Sequence, residues 1–335
     1  MDFVPRGFRK LYTDLYIDLV NKHPELWAHL YRATNEADPR SFMQRSRRLV
    51  ERLNTRALLK EIHAQAPGAI VCTHFLPAEL LGREVGKGRI ECPVWVQVTD
   101  FDLHRLWVVP NMAGYFAAND EVAWRMKAAG IQTAGIHVTG IPVMPPFSGT
   151  LDRRLCAAEA GLNPERKTIL MMGGGEGMGS LESAAAQLLA LEDPFQLIVL
   201  AGKNAAVLAA LQQLAARFPG RLFPQGFTHQ VERLMACADF TITKPGGLTT
   251  SECLAMGVAM ILNSPIPGQE ERNADYLLEQ GVALKAIDLA TLVFRVRKLL
   301  EQPQLLATMR DRARAIGRPK AARAVMDVVF AHCNA

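Results

Sequence analysis

Lys244-Pro245-Gly246-Gly247-Leu248-Thr249-Thr250-Ser251-Glu252, followed by Pro267-Gly268-Gln269-Glu270 and Asn273, is the stretch of this sequence richest in groups that do chemistry. The apolar run Phe240–Thr243 before it suits a buried strand, and Glu252–Met256 suits a helix closed by Gly257. A glycine turn from a strand end into a helix start aims free N–H groups and a partial positive charge outward. A diphosphate suits that field. Glu252, in the first helical turns, reaches a ribose hydroxyl pair, and Gln269 and Glu270 offer partners for sugar hydroxyls. The pattern reads as a nucleotide-sugar site made by Lys244, Gly246, Gly247, Leu248, Thr249, Thr250, Glu252, Gln269, Glu270 and Asn273.

A second glycine turn, Met171-Met172-Gly173-Gly174-Gly175-Glu176-Gly177-Met178-Gly179, follows an apolar strand and opens a helix near Ser180. Gly173, Gly174 and Gly175 let backbone approach a ligand closely. It is not a dinucleotide fingerprint, because the next strand ends in Gly202-Lys203 with no acidic residue. Gly226-Phe227, with Met235 further on, suits the frame of a flat base, although a lone phenylalanine is more often core.

Asp100, at the end of the strand Val94–Thr99, is the best-placed base for activating a hydroxyl, with His104 to orient it or to bind an acceptor. The plainer alternative is Asp100 as a turn cap and His104 as a packed surface histidine. His74, after Val71-Cys72-Thr73, is a weaker candidate. His74, His104 and His229 lie in separate contexts, so no metal cluster is expected. At the start, Phe3, Val4, Phe8 and Leu11 alternate with Arg6, Arg9 and Lys10. That pattern suits a bilayer interface bearing anionic headgroups, or a helix packed on its own domain.

The elements that position these residues alternate. Strands are expected at 69–73, 94–99, 114–117, 137–139, 168–172, 196–201, 240–243, 260–263 and 282–285, with helices between them. Such alternation predicts parallel sheets covered on both faces. The division is expected in the proline-rich stretch 142–149, giving domains 1–146 and 147–335. Helices at about 289–314 and 320–332 are expected to end the chain, broken near Gly317 and Pro319, and free to pack back on the first domain. The 335 residues are 49% hydrophobic and 21% charged, room for two ordinary domains.

The net charge is +5, concentrated at residues 40–60 and 291–335, which suits an anionic surface or two solvated helix faces. Aromatics are not interleaved as stacking platforms, which argues against nucleic acid. The six cysteines form no CxxC pair and read as reduced, mostly buried thiols. No apolar stretch reaches membrane-spanning length, and the start lacks a signal-peptide core.

The stretches MMGGGEGMG, GKN, GF, TITKPGGLTTSE and NSPIPGQEERNADYLLEQGVA resemble the donor half of the glycosyltransferases that include monogalactosyldiacylglycerol synthase and the processive diacylglycerol glucosyltransferases. The peptidoglycan lipid II synthase is a more distant relative. Val98-Thr99-Asp100-Phe101-Asp102-Leu103-His104-Arg105-Leu106-Trp107 resembles the lipid-acceptor branch's VTDF-x-x-H-x-x-W pattern, and Tyr115–Asp120 and Thr139–Val143 resemble that branch's next segments.

The resemblance implies an α/β GT-B fold of two Rossmann-like, doubly wound domains facing a crevice. It implies hexose transfer from a UDP-sugar to a diacylglycerol-type lipid, inverting and without metal or other cofactor. Gly246–Thr249 would hold the diphosphate, Glu252 the ribose, and Gln269 with Glu270 the hexose. It further implies a cytoplasmic protein peripheral to the cell membrane. The family begins with a strand and a GGGH turn that this sequence lacks, so the expectation is a first domain without its N-terminal strand and helix. Two other readings stand beside this one: an isomerase resembling UDP-N-acetylglucosamine 2-epimerase, and an inactive UDP-sugar-binding remnant.

Overall fold

The computed structural model describes residues 23–36, 56–173 and 180–334. The chain divides into two compact units. The first comprises residues up to Gly140 together with Ile266–Gln269 and Arg323–Ala335; the second comprises Ile141–Pro265 and Glu270–Ala322.

The first unit is built on a four-stranded parallel sheet in sequential order: β1 (Ile70–Cys72), β2 (Val94–Gln97), β3 (Gly114–Ala117) and β4 (Ile136–Val138). Its helices are α1 (Pro24–Glu36), α2 (Arg56–Gln65), α3 (Phe75–Val85) and α4 (Asp120–Ala128). The residues of β2 and β3 are buried throughout, as strands covered on both faces must be. The buried Gln97 side chain donates to the carbonyls of Val98 (2.8 Å) and Gly140 (3.2 Å), which ties the end of β2 to the loop after β4.

The second unit carries a six-stranded parallel sheet, β10-β9-β8-β5-β6-β7. Its strands are β5 (Lys167–Met172), β6 (Phe195–Leu200), β7 (Leu222–Gln225), β8 (Phe240–Thr243), β9 (Ala259–Asn263) and β10 (Ala283–Ala286). α5 (Arg153–Glu159) precedes them; α6 (Leu181–Leu189), α7 (Ala205–Arg217), α8 (Val231–Cys237), α9 (Gly247–Ala255) and α10 (Gln269–Glu279, in this unit from Glu270) run between them; and α11 (Leu289–Glu301) and α12 (Pro303–Ile316) follow. Phe195, Leu197, Phe240, Ile261, Leu188 and Leu292 lie fully inside one core cluster. Each such side chain is worth about 1.5–3 kcal/mol.

Three sequence expectations need correction here. β7 is an additional strand: Leu222-Phe223-Pro224-Gln225 contains a proline, which a strand tolerates only at a sheet edge, and β7 is the edge strand. The single helix expected over 289–314 is two, because Gln302 breaks it and Pro303 starts α12 at a position where its missing N–H costs nothing. The stretch 145–148 is a short 3-10 turn with Phe147 buried, so it packs as structure and is no bare linker.

The final helix, α13 (Ala321–Cys333), belongs to the first unit from Arg323 onward. Val325 and Val329 form a buried cluster with Trp95 and Phe116, with Ala69, Val71 and Val328 against it. Among the described residues no helix is long and apolar enough to cross a membrane.

Candidate functional site

In the second sheet the chain steps outward from β5 to β6 and β7 on one side, and from β8 to β9 and β10 on the other. Neighbouring β5 and β8 are therefore the point where the winding reverses. Loops leaving the carboxyl ends of two such strands diverge and leave a crevice, the usual ligand position in open α/β sheets. The glycine turn after β8 lies there, and so does Gly173, the first glycine after β5. Gly173 leaves β5 at φ +73°, and a Cβ on it would stand 4.0 Å from Lys244 Cγ in the turn after β8. Gly174 and Gly175 lie outside the described residues.

The turn after β8 delivers Gly246 as the residue before α9. Asn204, Ser180 and Asp288 cap α7, α6 and α11 with their side chains, but Gly246 supplies none. Among the described residues, the first N–H groups of α9 thus have no capping side chain, at the positive end of the helix. A side-chain hydrogen bond holds this turn. The buried Asn273 amide, on α10, donates to the Pro245 carbonyl at 3.1 Å. Glu270 Oε1 lies 3.6 Å from where a Gly246 side chain would begin. Behind α9, a Cβ on Gly317 would meet the Leu254 carbonyl oxygen at 2.3 Å, so α12 can back the helix only because Gly317 has no side chain.

Glu252 is half-buried one helical turn into α9. Burial, and next the carboxyl of Glu232 on α8, push its pKa up to about 7. Glu232 is itself buried. Sequence reasoning misses Glu232, because nothing in its spacing from Glu252 announces that the fold brings the two carboxyls near each other. The buried Thr250 Oγ1 and Gln269 Oε1 find no hydrogen-bond partner among the described residues, an uncommon state for buried oxygens. Leu248 is exposed on the first turn of α9.

Gly202, at φ +58° after β6, and Phe227, after β7, come together as neighbours: a Cβ on Gly226 would lie 4.0 Å from the Gly202 carbonyl oxygen. Phe227 is 54% exposed, with the Lys203 ammonium 4.9 Å from its ring centre and His229 edge-on at 4.8 Å. An exposed aromatic face at a sheet's carboxyl edge suits a nucleobase. Met235 does not join it: the side chain is 1% exposed and part of the interior.

In the first unit, Asp100 is half-buried just beyond the carboxyl end of β2. His74 stands beyond the neighbouring β1, where its Nδ1 accepts the Leu76 N–H at 3.2 Å and starts α3. The protein packed around the ring lowers its pKa from the usual imidazole value, although an edge stays open to solvent. His104 differs from its expected role. It is buried, its Nδ1 accepts the Leu106 N–H at 3.2 Å, and its Nε2 lies 3.2 Å from the Tyr31 carbonyl oxygen. Its ring is 4.5 Å from that of Tyr31. The Leu106 contact leaves the proton on Nε2, donated to Tyr31, so His104 joins α1 to the loop after β2. Phe3, Val4, Arg6, Phe8, Arg9 and Lys10 lie outside the described residues.

A groove of about 1370 Å³ runs over the first unit. Its lining includes Leu106, Val109, Met112 and Val328, with Arg83 and Arg105 among the polar groups. Among the described residues no group of three or more His, Cys, Asp or Glu could hold a metal ion.

Residues 6–143 match the monogalactosyldiacylglycerol (MGDG) synthase family, and residues 168–325 match the glycosyltransferase family 28 C-terminal domain. A processive diacylglycerol beta-glucosyltransferase of Bacillus pumilus is 32% identical over 224 residues, 67% of this chain and 58% of the relative. The enzyme of the same name from Bacillus cytotoxicus is 30% identical over 271 residues, 80% of this chain and 69% of the relative. The chain thus spans from over half to about two thirds of the length of these relatives.

Among solved structures, MurG of Acinetobacter baumannii superposes with a TM-score of 0.56 at 20% identity, covering 82% of this chain and 76% of that one. A UDP co-structure of MnaA from S. aureus superposes with a TM-score of 0.65 at 15% identity, covering 83% and 79%. At such identities the likeness is one of fold, and the fold is GT-B.

Proposed function

Since this chain belongs to the family of the processive diacylglycerol glucosyltransferases and monogalactosyldiacylglycerol synthases, we propose that it moves a hexose from a UDP-sugar to a diacylglycerol-type lipid. The observation that carries the proposal is the uncapped start of α9 at the winding reversal between β5 and β8, with Glu252 half-buried one turn on. Backbone amides there take the diphosphate, and Lys244 adds a cation beside it. Glu252 takes the ribose hydroxyls, Phe227 and Gly202 flank the base, and Gln269 and Glu270 take the hexose. The leaving diphosphate is neutralised by the helix end and Lys244, which is work a metal ion does elsewhere.

Transfer inverts the anomeric carbon. The acceptor hydroxyl attacks it, its proton passes to Asp100, and the bond to the UDP oxygen breaks with that oxygen keeping the electron pair. Glucose, the sugar in the relatives' names, is the first donor to try. The apolar groove of the first unit, with its arginines, supports a lipid acceptor and a peripheral position at an anionic membrane.

The test is radiolabelled UDP-glucose, and separately UDP-galactose, incubated with the protein and vesicles of diacylglycerol in phosphatidylglycerol, with and without EDTA. Label in the lipid phase, unaffected by EDTA, is expected. Label that stays in a nucleotide sugar of altered configuration, with no acceptor needed, would move the reading to an isomerase. UDP binding without any turnover would leave only a binding protein.

A further inference from the structure

Two thiols remote in sequence lie near the amino-terminal edge of the first unit's sheet. β1 and β2 are parallel with Ile70 opposite Val94, and the Ile70 N–H donates to the Pro93 carbonyl at 3.0 Å. Gly68 and Cys92 each lie two residues before that pair, where the chain enters the two neighbouring strands. Cys333, the last residue of α13, places its sulfur 3.8 Å from the Gly68 carbonyl oxygen. The helix is held there by Val325 and Val329 against Trp95 and Phe116. His332 meets the Trp95 ring edge-on at 5.2 Å. Cys333 is exposed and Cys92 half-buried, whereas Cys72, Cys156, Cys237 and Cys253 are buried.

We propose that Cys92 and Cys333 are a disulfide-forming pair, oxidised by small disulfides such as glutathione disulfide, that fastens the end of α13 to the sheet. The exposed Cys333 thiolate attacks one sulfur of the small disulfide and expels one thiolate. Cys92 then attacks the Cys333 sulfur of the mixed disulfide and expels the second. Two protein thiols lose two protons and two electrons, and one small disulfide becomes two thiols. Burial, and with it the nearby Cys333 sulfur, raises the Cys92 pKa, so the second step speeds up with rising pH. The bond closes a loop containing the whole second unit, and so constrains the unfolded chain strongly.

The test incubates the whole protein with glutathione disulfide and maps its peptides without reduction. A Cys92–Cys333 cross-link is expected, reversed by dithiothreitol and accompanied by a rise of several degrees in Tm. In Cys92→Ser, Cys333 should instead retain glutathione, and Cys333→Ser, at an exposed helix end, should show no Tm rise. The proposal is overturned if wild-type Cys333 stays glutathionylated beside a free Cys92, or if it only bridges to Cys333 of a second copy.

Discussion

The Asn273 side chain donates to the Pro245 carbonyl at 3.1 Å, so the helix after β9 holds the turn after β8. Asn273 is fully buried, and Pro245 has no N–H with which to anchor itself. Its carbonyl therefore depends on α10 to keep Gly246 and the first amides of α9 in place. Asn273→Ala should weaken UDP-glucose binding about tenfold, the worth of roughly one such bond plus the carbonyl left unpaired. It should also lower thermal stability. Calorimetric titration reads the affinity directly, and an unchanged Kd in a folded variant would remove Asn273 from the site.

Glu252 makes donor binding depend on pH. With a pKa of about 7, raised first by burial and then by Glu232, its carboxyl is mostly protonated at pH 6 and mostly ionised at pH 8. Only the carboxylate offers both oxygens to a ribose diol. UDP-glucose affinity should rise by up to about tenfold across that range, the change in ionised fraction. Glu252→Gln should bind weakly with a flat profile. UDP-glucose is the proper probe, because UDP titrates its own terminal phosphate nearby.

The same carboxyl sets an opposite trend in stability. Its folded pKa lies above its unfolded one, so the folded state binds the extra proton. Its ionisation destabilises the fold progressively as pH rises from the ordinary glutamate value of 4.5 through about 7. The full shift overstates the cost, since Glu252 remains partly solvated. About 1–2 kcal/mol is the expected gain in Glu252→Gln at pH 8, with none at pH 4. A denaturant series at both values checks this; a variant that loses stability at pH 8 contradicts it.

His104 acts by holding α1, and its loss should read differently from the loss of Asp100. His104→Ala frees the Leu106 N–H and the Tyr31 carbonyl. Hydrogen exchange should quicken over Pro24–Glu36 while transfer persists. Asp100→Asn should leave exchange unchanged and cut transfer by roughly 10²–10⁴, the range for a lost general base. Equal loss of transfer in both variants, with exchange unaltered in both, would return His104 to the chemistry.

The glycine turn after β8 is readable in the sequence because an open strand-to-helix turn demands particular residue types. β9 is readable because a buried parallel strand is a nearly pure apolar run, and β8 because its two threonines are β-branched and sit among apolar residues. β7 is not, since Pro224 argues against a strand and only the edge position excuses it. Met235 and His104 escape the sequence for one reason: a side chain's direction depends on what packs beside its element. Glu232 and Glu252 illustrate the same limit, since their electrostatic coupling exists only once the fold brings the two carboxyls near each other.

Asp239 stands in the sequence only as the residue before an apolar strand, yet it organises the amino-terminal edge of the second sheet. It is 4% exposed, accepts the Thr168 N–H at 2.8 Å, and pairs with Arg153 at 2.9 Å and Lys167 at 3.0 Å, with Arg310 at 3.9 Å. One carboxylate thus joins α5, β5 and α12 to β8. Burial alone would raise its pKa, but the Thr168 amide, Arg153 and Lys167 prevail and lower it. A depressed carboxyl stabilises the fold above its unfolded pKa and loses that contribution as pH falls through the folded value. Asp239→Asn keeps an oxygen for Thr168 but strands the cations, and should cost about 2–4 kcal/mol at pH 7. The gap between variant and wild type should begin to narrow only as pH falls below the ordinary aspartate value of 3.8, and should close once pH passes the lowered folded value, where the native carboxyl also gains its proton. Urea midpoints at pH 7 and at about pH 2 measure both quantities, and a gap that stays constant between them would mean the carboxylate's charge is not what joins these elements.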